Sequence, residues 1–240
     1  MPTIKCHNMF FIKQNNIDYY NPKNKNELKL CLTLPYDDWQ KINTSRITDM
    51  SSLFEDYNDK FGDISKWDTS NVKNMSRMFS HSNFNGDIAL WNVSKVKDMS
   101  YMFEYSKFNN DISNWDVSSV KDMSYMFEGS ELNSNIPYWN VSNVKNMFGM
   151  FSQSNFNQDI SKWNVSSVKD MGFMFSQSDF NKDISNWDVS NVENMRSMFM
   201  TTIFTGDLSK WNISNVKNMA DMFEYCQLMY DNRLPKWYIK

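Results

Sequence analysis

Two histidines, three cysteines and a recurring Asn-x-Asp pair are the residues of this chain whose types could do chemistry. His7 and His81 sit in unlike contexts, and no Ser-His-Asp or Cys-His set repeats or converges around them, so a nucleophile with its base is not indicated. Cys6, Cys31 and Cys226 are odd in number and lack ligand spacing, which points away from a disulfide framework and from a zinc site. No glycine-rich phosphate loop occurs. The Asn-x-Asp pair, Asn157 and Asp159 for instance, could offer stacked carboxylates to calcium, which prefers oxygen ligands. One carboxylate per copy is thin coordination, and hydrogen bonding within a loop accounts for the pair. We expect no enzyme activity, no metal and no cofactor.

The elements that must position these residues follow from a repeat. Trp67, Trp91, Trp115, Trp139, Trp163, Trp187 and Trp211 follow one another at intervals of 24, and the other apolar residues keep step. Counting places from the Trp, the apolar ones are 1 (Trp), 3 (Val), 6 (Val), 9 (Met), 12 (Met), 13 (Phe), 18 (Phe or Leu) and 22 (Ile or Leu). A fixed period of this size is the signature of a solenoid whose copies stack, since one copy cannot bury its own apolar face. Ile160, Trp163 and Val165 show the Ile-x-x-Trp-x-Val run, which has the spacing of the L-x-x-L-x-L core of leucine-rich repeats. That spacing predicts a short strand around the Trp, with places 24, 2 and 4 on its exposed side. Met75, Met78 and Phe79 stand at i, i+3 and i+4 after Asn74, a good N-cap, and predict one to two turns of helix over Met-x-x-Met-Phe. The expected fold is an α/β, leucine-rich-repeat-like solenoid of about eight coils, each with a short parallel strand and a short helix.

The strings WNVSNVKNMFGMF and FNQDISKWNVSSVKDM carry a family resemblance. From about Ile42 to about Trp237 the chain resembles the BspA-like leucine-rich-repeat surface proteins, including their mycoplasma-type subgroup of repeats of unknown function. The resemblance implies a curved parallel-strand solenoid with a role in binding or adhesion, without catalysis, and names no ligand.

Three regions are expected: an N-terminal cap over 1–41, the repeat over 42–234 and a C-terminal cap over 235–240. Met9 to Ile12 reads as a strand, Asn15-Asn16 as a turn, and Asn24 to about Leu34 as a helix or a strand, the helix being favoured because family members carry a helical cap there. The run LPYDDW at 34–39 faintly resembles the start of an F-box, a remote alternative because a repeat copy begins at once where F-box helices should continue. That first copy, INTSRITDMSSLF from Ile42, is degenerate, as end copies of repeat arrays are. Cys226 stands at place 16, where other copies have Ser or Thr, and is expected to pack in the core.

The net charge of −3 argues against nucleic acid, whose phosphates call for a basic excess or face. Neither a signal-peptide run nor a segment able to span a bilayer is present, so a cytoplasmic or virion location is expected rather than membrane insertion. Asn92, Asn140, Asn164 and Asn212 begin Asn-x-Ser sequons; sugars there would cover the strand face, so a protein-binding role for that face implies that the chain avoids a glycosylating compartment.

A protein partner is the expected ligand, with self-association into a particle or surface layer as the alternative. Two surfaces could serve. The first is the exposed strand side, with Lys66, Asn114, Tyr138, Lys162 and Asn186 at place 24 and Asp68, Asn92, Asp116, Asn140, Asn164 and Asp188 at place 2. The place 2 residues could equally hydrogen-bond along the ladder and cap the strand ends. The second is aromatic: Tyr101, Tyr125 and Phe173 share place 11, Phe148 takes place 10, and Tyr105 lies four residues after Tyr101. These rings either form an exposed patch or pack between neighbouring copies. A lysine stripe at place 7 is read as a solvated edge.

Overall fold

Asx side chains set the corners of each 24-residue coil. The side-chain oxygen at place 2 accepts from the backbone N–H at place 4 (Asp68 from Ser70, 2.9 Å), the one at place 8 from place 10 (Asp98 from Ser100, 2.9 Å), and the one at place 21 from place 23 (Asp111 from Ser113, 2.8 Å). Short polar side chains that reach the backbone two residues on favour turns over helix. In this computed structural model, which describes residues 11–14 and 17–238, the coils accordingly run as successive turns.

The expected strand around the Trp and the expected helix over Met-x-x-Met-Phe are both absent from the described coils, which is a correction to the sequence reading. At the Trp the chain turns, with the Trp67 N–H donating to Ile64 at 3.1 Å. At Met-x-x-Met-Phe, turns close by Met78 donating to Met75 and Ser80 to Arg77, both at 3.2 Å. The amides that a helix would use within its own coil point outward instead. At every junction the N–H groups of places 9, 11, 13 and 15 donate to the carbonyls of places 8, 10, 12 and 14 in the next coil. Met75 to Asp98, Arg77 to Ser100 and Phe79 to Met102 are 2.9 Å, and His81 to Glu104 is 2.7 Å. Asp49, Asn74, Asp98, Asp122, Asn146, Asp170, Asn194 and Asn218 are linked in that order by parallel bridges.

Alternate amides can face the same way because the backbone is left-handed at places 11 and 15 of all eight coils, with φ between 46° and 63°. Only Gly129 and Gly149 among these positions are glycines; Tyr101, Phe173 and Thr201 are typical of the rest. Such a conformation costs a residue with a side chain about 1–2 kcal/mol. The hydrogen bonds across each junction hold it in place.

Inside the turns the apolar places line up in columns. Phe79, Phe103, Phe127 and Phe151 stack at centroid separations of 5.6 to 5.7 Å, and Trp139 lies 6.4 Å from Trp163. The seven indoles are only 3–4% exposed. Each buries its ring and still satisfies its N–H, since the Trp115 Nε1 donates to the Ile88 carbonyl and the Trp139 Nε1 to that of Ile112, both at 3.1 Å. Among the described residues, no buried side-chain nitrogen or oxygen lacks a partner.

The two ends of the stack differ. The expected strand and turn over Met9–Ile12 and Asn15-Asn16 lie partly outside the described residues. What is described is β1 (Phe11–Gln14) paired antiparallel with β2 (Ile17–Tyr20), then helix α1 (Lys25–Cys31) and a 3-10 helix over Tyr36–Lys41. Asn24 caps α1 by accepting from Glu27 N–H at 3.0 Å. Leu28, Cys31 and Trp39 are fully buried, as are Ile47 and Met50 of the first coil beside them. At the far end the short helix α2 (Gln227–Tyr230) and Trp237, whose Nε1 donates to Leu208 at 2.9 Å, cover only part of the last coil. Cys226 is buried there and accepts from the Thr202 hydroxyl at 3.4 Å.

Candidate functional site

The same outward rows of amides decide where the variable side chains go. Places 10, 11, 14 and 15 lie along the junction ladder, and a residue at any of them meets its counterpart one coil on. Tyr101 and Tyr125 stack at 4.8 Å and 21°, Tyr125 meets Phe148 at 5.2 Å, and Phe148 meets Phe173 at 5.3 Å. Arginines close both ends of the series, Arg77 lying 4.0 Å from the centre of the Tyr101 ring and Arg196 lying 5.8 Å from that of Phe173. The four rings are half-buried. Tyr105 runs alongside, 42% exposed and stacked on His81 at 5.1 Å.

Glycines seat these rings. A Cβ on Gly149 would stand 2.5 Å from Tyr125, one on Gly129 would stand 2.3 Å from Tyr105, and one on Gly172 would stand 2.8 Å from Phe148. Each ring therefore lies flat over the bare backbone of the following coil. Sequence reasoning found the aromatics and missed what holds them: the two arginines and the three glycines. The signal was present, since aromatic and glycine alternate at a single place in adjacent coils.

Carboxylates flank the ribbon at place 14. Glu104 is nearly buried; it accepts from the Ser80 hydroxyl at 2.8 Å and lies 3.6 Å from Arg77. Glu128, one coil further, is pushed up to about 7 by burial and then by the Glu104 charge, with Gln153 Nε2 donating to it at 3.3 Å. Tyr125 is pushed up to about 12, again by burial first.

The other predicted residues form no cluster of this kind. Lys66, Asn114, Tyr138, Lys162 and Asn186 at place 24 are exposed, Tyr138 at 80%. Lys162 Nζ stands 5.2 Å above the Tyr138 ring, beside an open depression of about 570 Å³ lined by Asp111, Asn114 and Asn135 among others. At place 2, Asp68, Asn92, Asp116, Asn140, Asn164 and Asp188 are exposed, and each accepts from the backbone N–H of the Ser two residues on. Those side chains cap turns. The Asn-x-Asp pair is likewise engaged: Asp159 accepts from Ser161 N–H at 2.9 Å, and Asn157 accepts from Asn181 N–H of the next coil at 3.0 Å. Among the described residues no group of three or more His, Cys, Asp or Glu is placed to share a metal ion, and no helix is long and apolar enough to cross a membrane.

No curated protein and no solved structure matches the chain. One family does, described as "Mycoplasma protein of unknown function, DUF285", over residues 25–132 and again over 128–237. These two tandem matches take in all eight coils together with α1 and Trp237, and by them the chain belongs to that Mycoplasma repeat family of unknown function.

Proposed function

We infer that the chain is a leucine-rich-repeat-like solenoid of the BspA kind and acts as a non-catalytic scaffold for protein binding or adhesion, with the aromatic ribbon as its contact surface. The observation that carries this reading is the Arg77, Tyr101, Tyr125, Phe148, Phe173, Arg196 series, whose four rings are half-exposed and of which Tyr125 and Phe148 are seated on glycines, where the rest of the repeat stays regular. Tyr and Arg are the side chains that most often anchor protein interfaces. Rings already fixed by their neighbours lose little further freedom when a partner covers them.

The test is photo-crosslinking in the cells the chain comes from, with a benzophenone amino acid at Tyr105 in one variant and at Lys162 in another. A protein adduct formed from position 105 and not from 162 supports the ribbon. Adducts from position 162 alone would move the contact surface to place 24. Adducts to the chain itself alone would make it a self-associating building block.

A further inference from the structure

The hydrogen bonds that join the coils at places 9, 11, 13 and 15 share one sense, opposite to that at place 7, where Lys97 N–H donates back to Lys73, and the two ends of the stack differ in consequence. At places 9, 11, 13 and 15 every amide points toward the later coil and every accepting carbonyl toward the earlier one. Aligned peptide groups add their dipoles, as they do along a helix. The first coil therefore ends in carbonyls, and a cation meets them: Lys25 Nζ donates to the Ser51 carbonyl at 3.3 Å and its hydroxyl at 2.7 Å, and lies 3.1 Å from Asp49. The last coil ends in amides. Those of Met219 and Asp221 have no acceptor among the described residues, and the Lys217 carbonyl beside them has no donor there.

The apolar half of that coil is open as well. Places 3, 6 and 9 are fully buried in the coil before, as Val189, Val192 and Met195, yet their counterparts Ile213, Val216 and Met219 are only half-buried. Trp237, Tyr238 and α2 close the half holding Trp211 and Phe223 and stop short of this one.

We propose that this half-coil edge, from Ile213 to Asp221, docks a short segment of another polypeptide with the pattern apolar-x-x-apolar-x-x-Met, laid parallel to it. The stack itself shows the fit. Every earlier coil of full pattern is covered here by Val or Ile at places 3 and 6 and Met at place 9, while carbonyls at places 8 and 10 receive the amides of places 9 and 11. Main-chain bonds supply the attachment and the apolar trio supplies the register, as in strand addition to an open edge. A second copy of the chain does not fit the register that the stack shows. Two such edges face to face would run antiparallel and set Ile213, Val216 and Met219 out of step, although the Lys217 carbonyl could meet an amide there, and head-to-tail stacking needs the carbonyl end that Lys25 and α1 occupy.

A synthetic peptide copying residues 188–198 of this chain supplies the pattern and is the probe. Titrated into the nitrogen-15-labelled protein, it should shift and protect the amides of Met219 and Asp221, and a scrambled peptide should not. Val216→Asp should weaken the peptide at least about tenfold, since burying one Val side chain is worth about 1.5 kcal/mol or more. Ile213→Asp reads the same notch should Val216→Asp disturb the fold. The proposal is overturned if those amides do not move, if the scrambled peptide or inorganic phosphate alone moves them equally, or if the protein by itself sediments as a dimer that Val216→Asp dissolves.

Discussion

A tryptophan at place 1 and an Asx at place 2 are neighbours in sequence and do opposite work. Trp139 is buried, stacks on Trp163 and donates to the Ile112 carbonyl, so Trp139→Ala removes a packed ring and leaves that acceptor one donor short. The expected loss is about 3–5 kcal/mol in chemical denaturation. Asn140 is exposed and accepts one backbone hydrogen bond from Ser142, so Asn140→Ala should cost under about 1 kcal/mol in the same measurement. Equal losses would mean that the indole faces solvent. Glu128 gives a pH dependence whose sign is fixed. A carboxyl raised from 4.5 to about 7 holds its proton more tightly when folded, so its contribution to stability is full below 4.5 and is lost as pH rises through about 7. Over that range the melting temperature of the native chain should fall relative to that of Glu128→Gln; a constant difference would mean that burial and the Glu104 charge do not raise the Glu128 carboxyl on folding. The Asp residues in place 21 turns have the other sign. Hydrogen bonds from Ser185 to Asp183 and from Ser161 to Asp159 hold those carboxyls below the usual range, and their contribution is lost on acidification.

The coil is the element, and its outline was legible because burial follows residue type. Each place assigned to the core, from the Trp column to the Phe at place 18, is buried in the central coils. Its secondary structure was not legible. Met, Met and Phe at i, i+3 and i+4 fit one face of a helix as well as they fit a chain of turns, and local propensity cannot tell them apart. The ribbon was half legible: spacing placed Tyr101, Tyr125 and Phe173 together, whereas the role of Gly149 depends on how close Tyr125 comes to its backbone. This coupling can be measured. Gly149→Ala should destabilise the chain by more than the about 1 kcal/mol expected of a left-handed alanine alone, because the new methyl meets the Tyr125 ring. In Tyr125→Ala the same change should cost only the backbone share. A thermodynamic cycle showing strict additivity would mean that the ring does not lie on that glycine.

For the whole molecule, stability should be graded along the stack. The first coil is sealed by α1 and Trp39, the central coils are covered on both sides, and the last is half-open at Ile213, Val216 and Met219. In a one-dimensional array each unit draws its stability from its neighbours, so opening should begin at the uncovered end. Hydrogen exchange should then be slowest for the outward amides of the central coils, such as Phe127 and Phe151, and fastest at Met219 and Asp221. Uniform protection from end to end would mean that the chain opens only as one unit. The amino-acid sequence alone determined the period, the side chains that turn inward and the weakness of the end copies, because a 24-residue unit with one apolar face must repeat that face to cover it. Only the tertiary structure decided that the amides leave their own coil, that the rings join into one ribbon and that the two ends carry opposite backbone groups. Each of these depends on an acceptor or a surface one full repeat away, beyond the reach of any local preference.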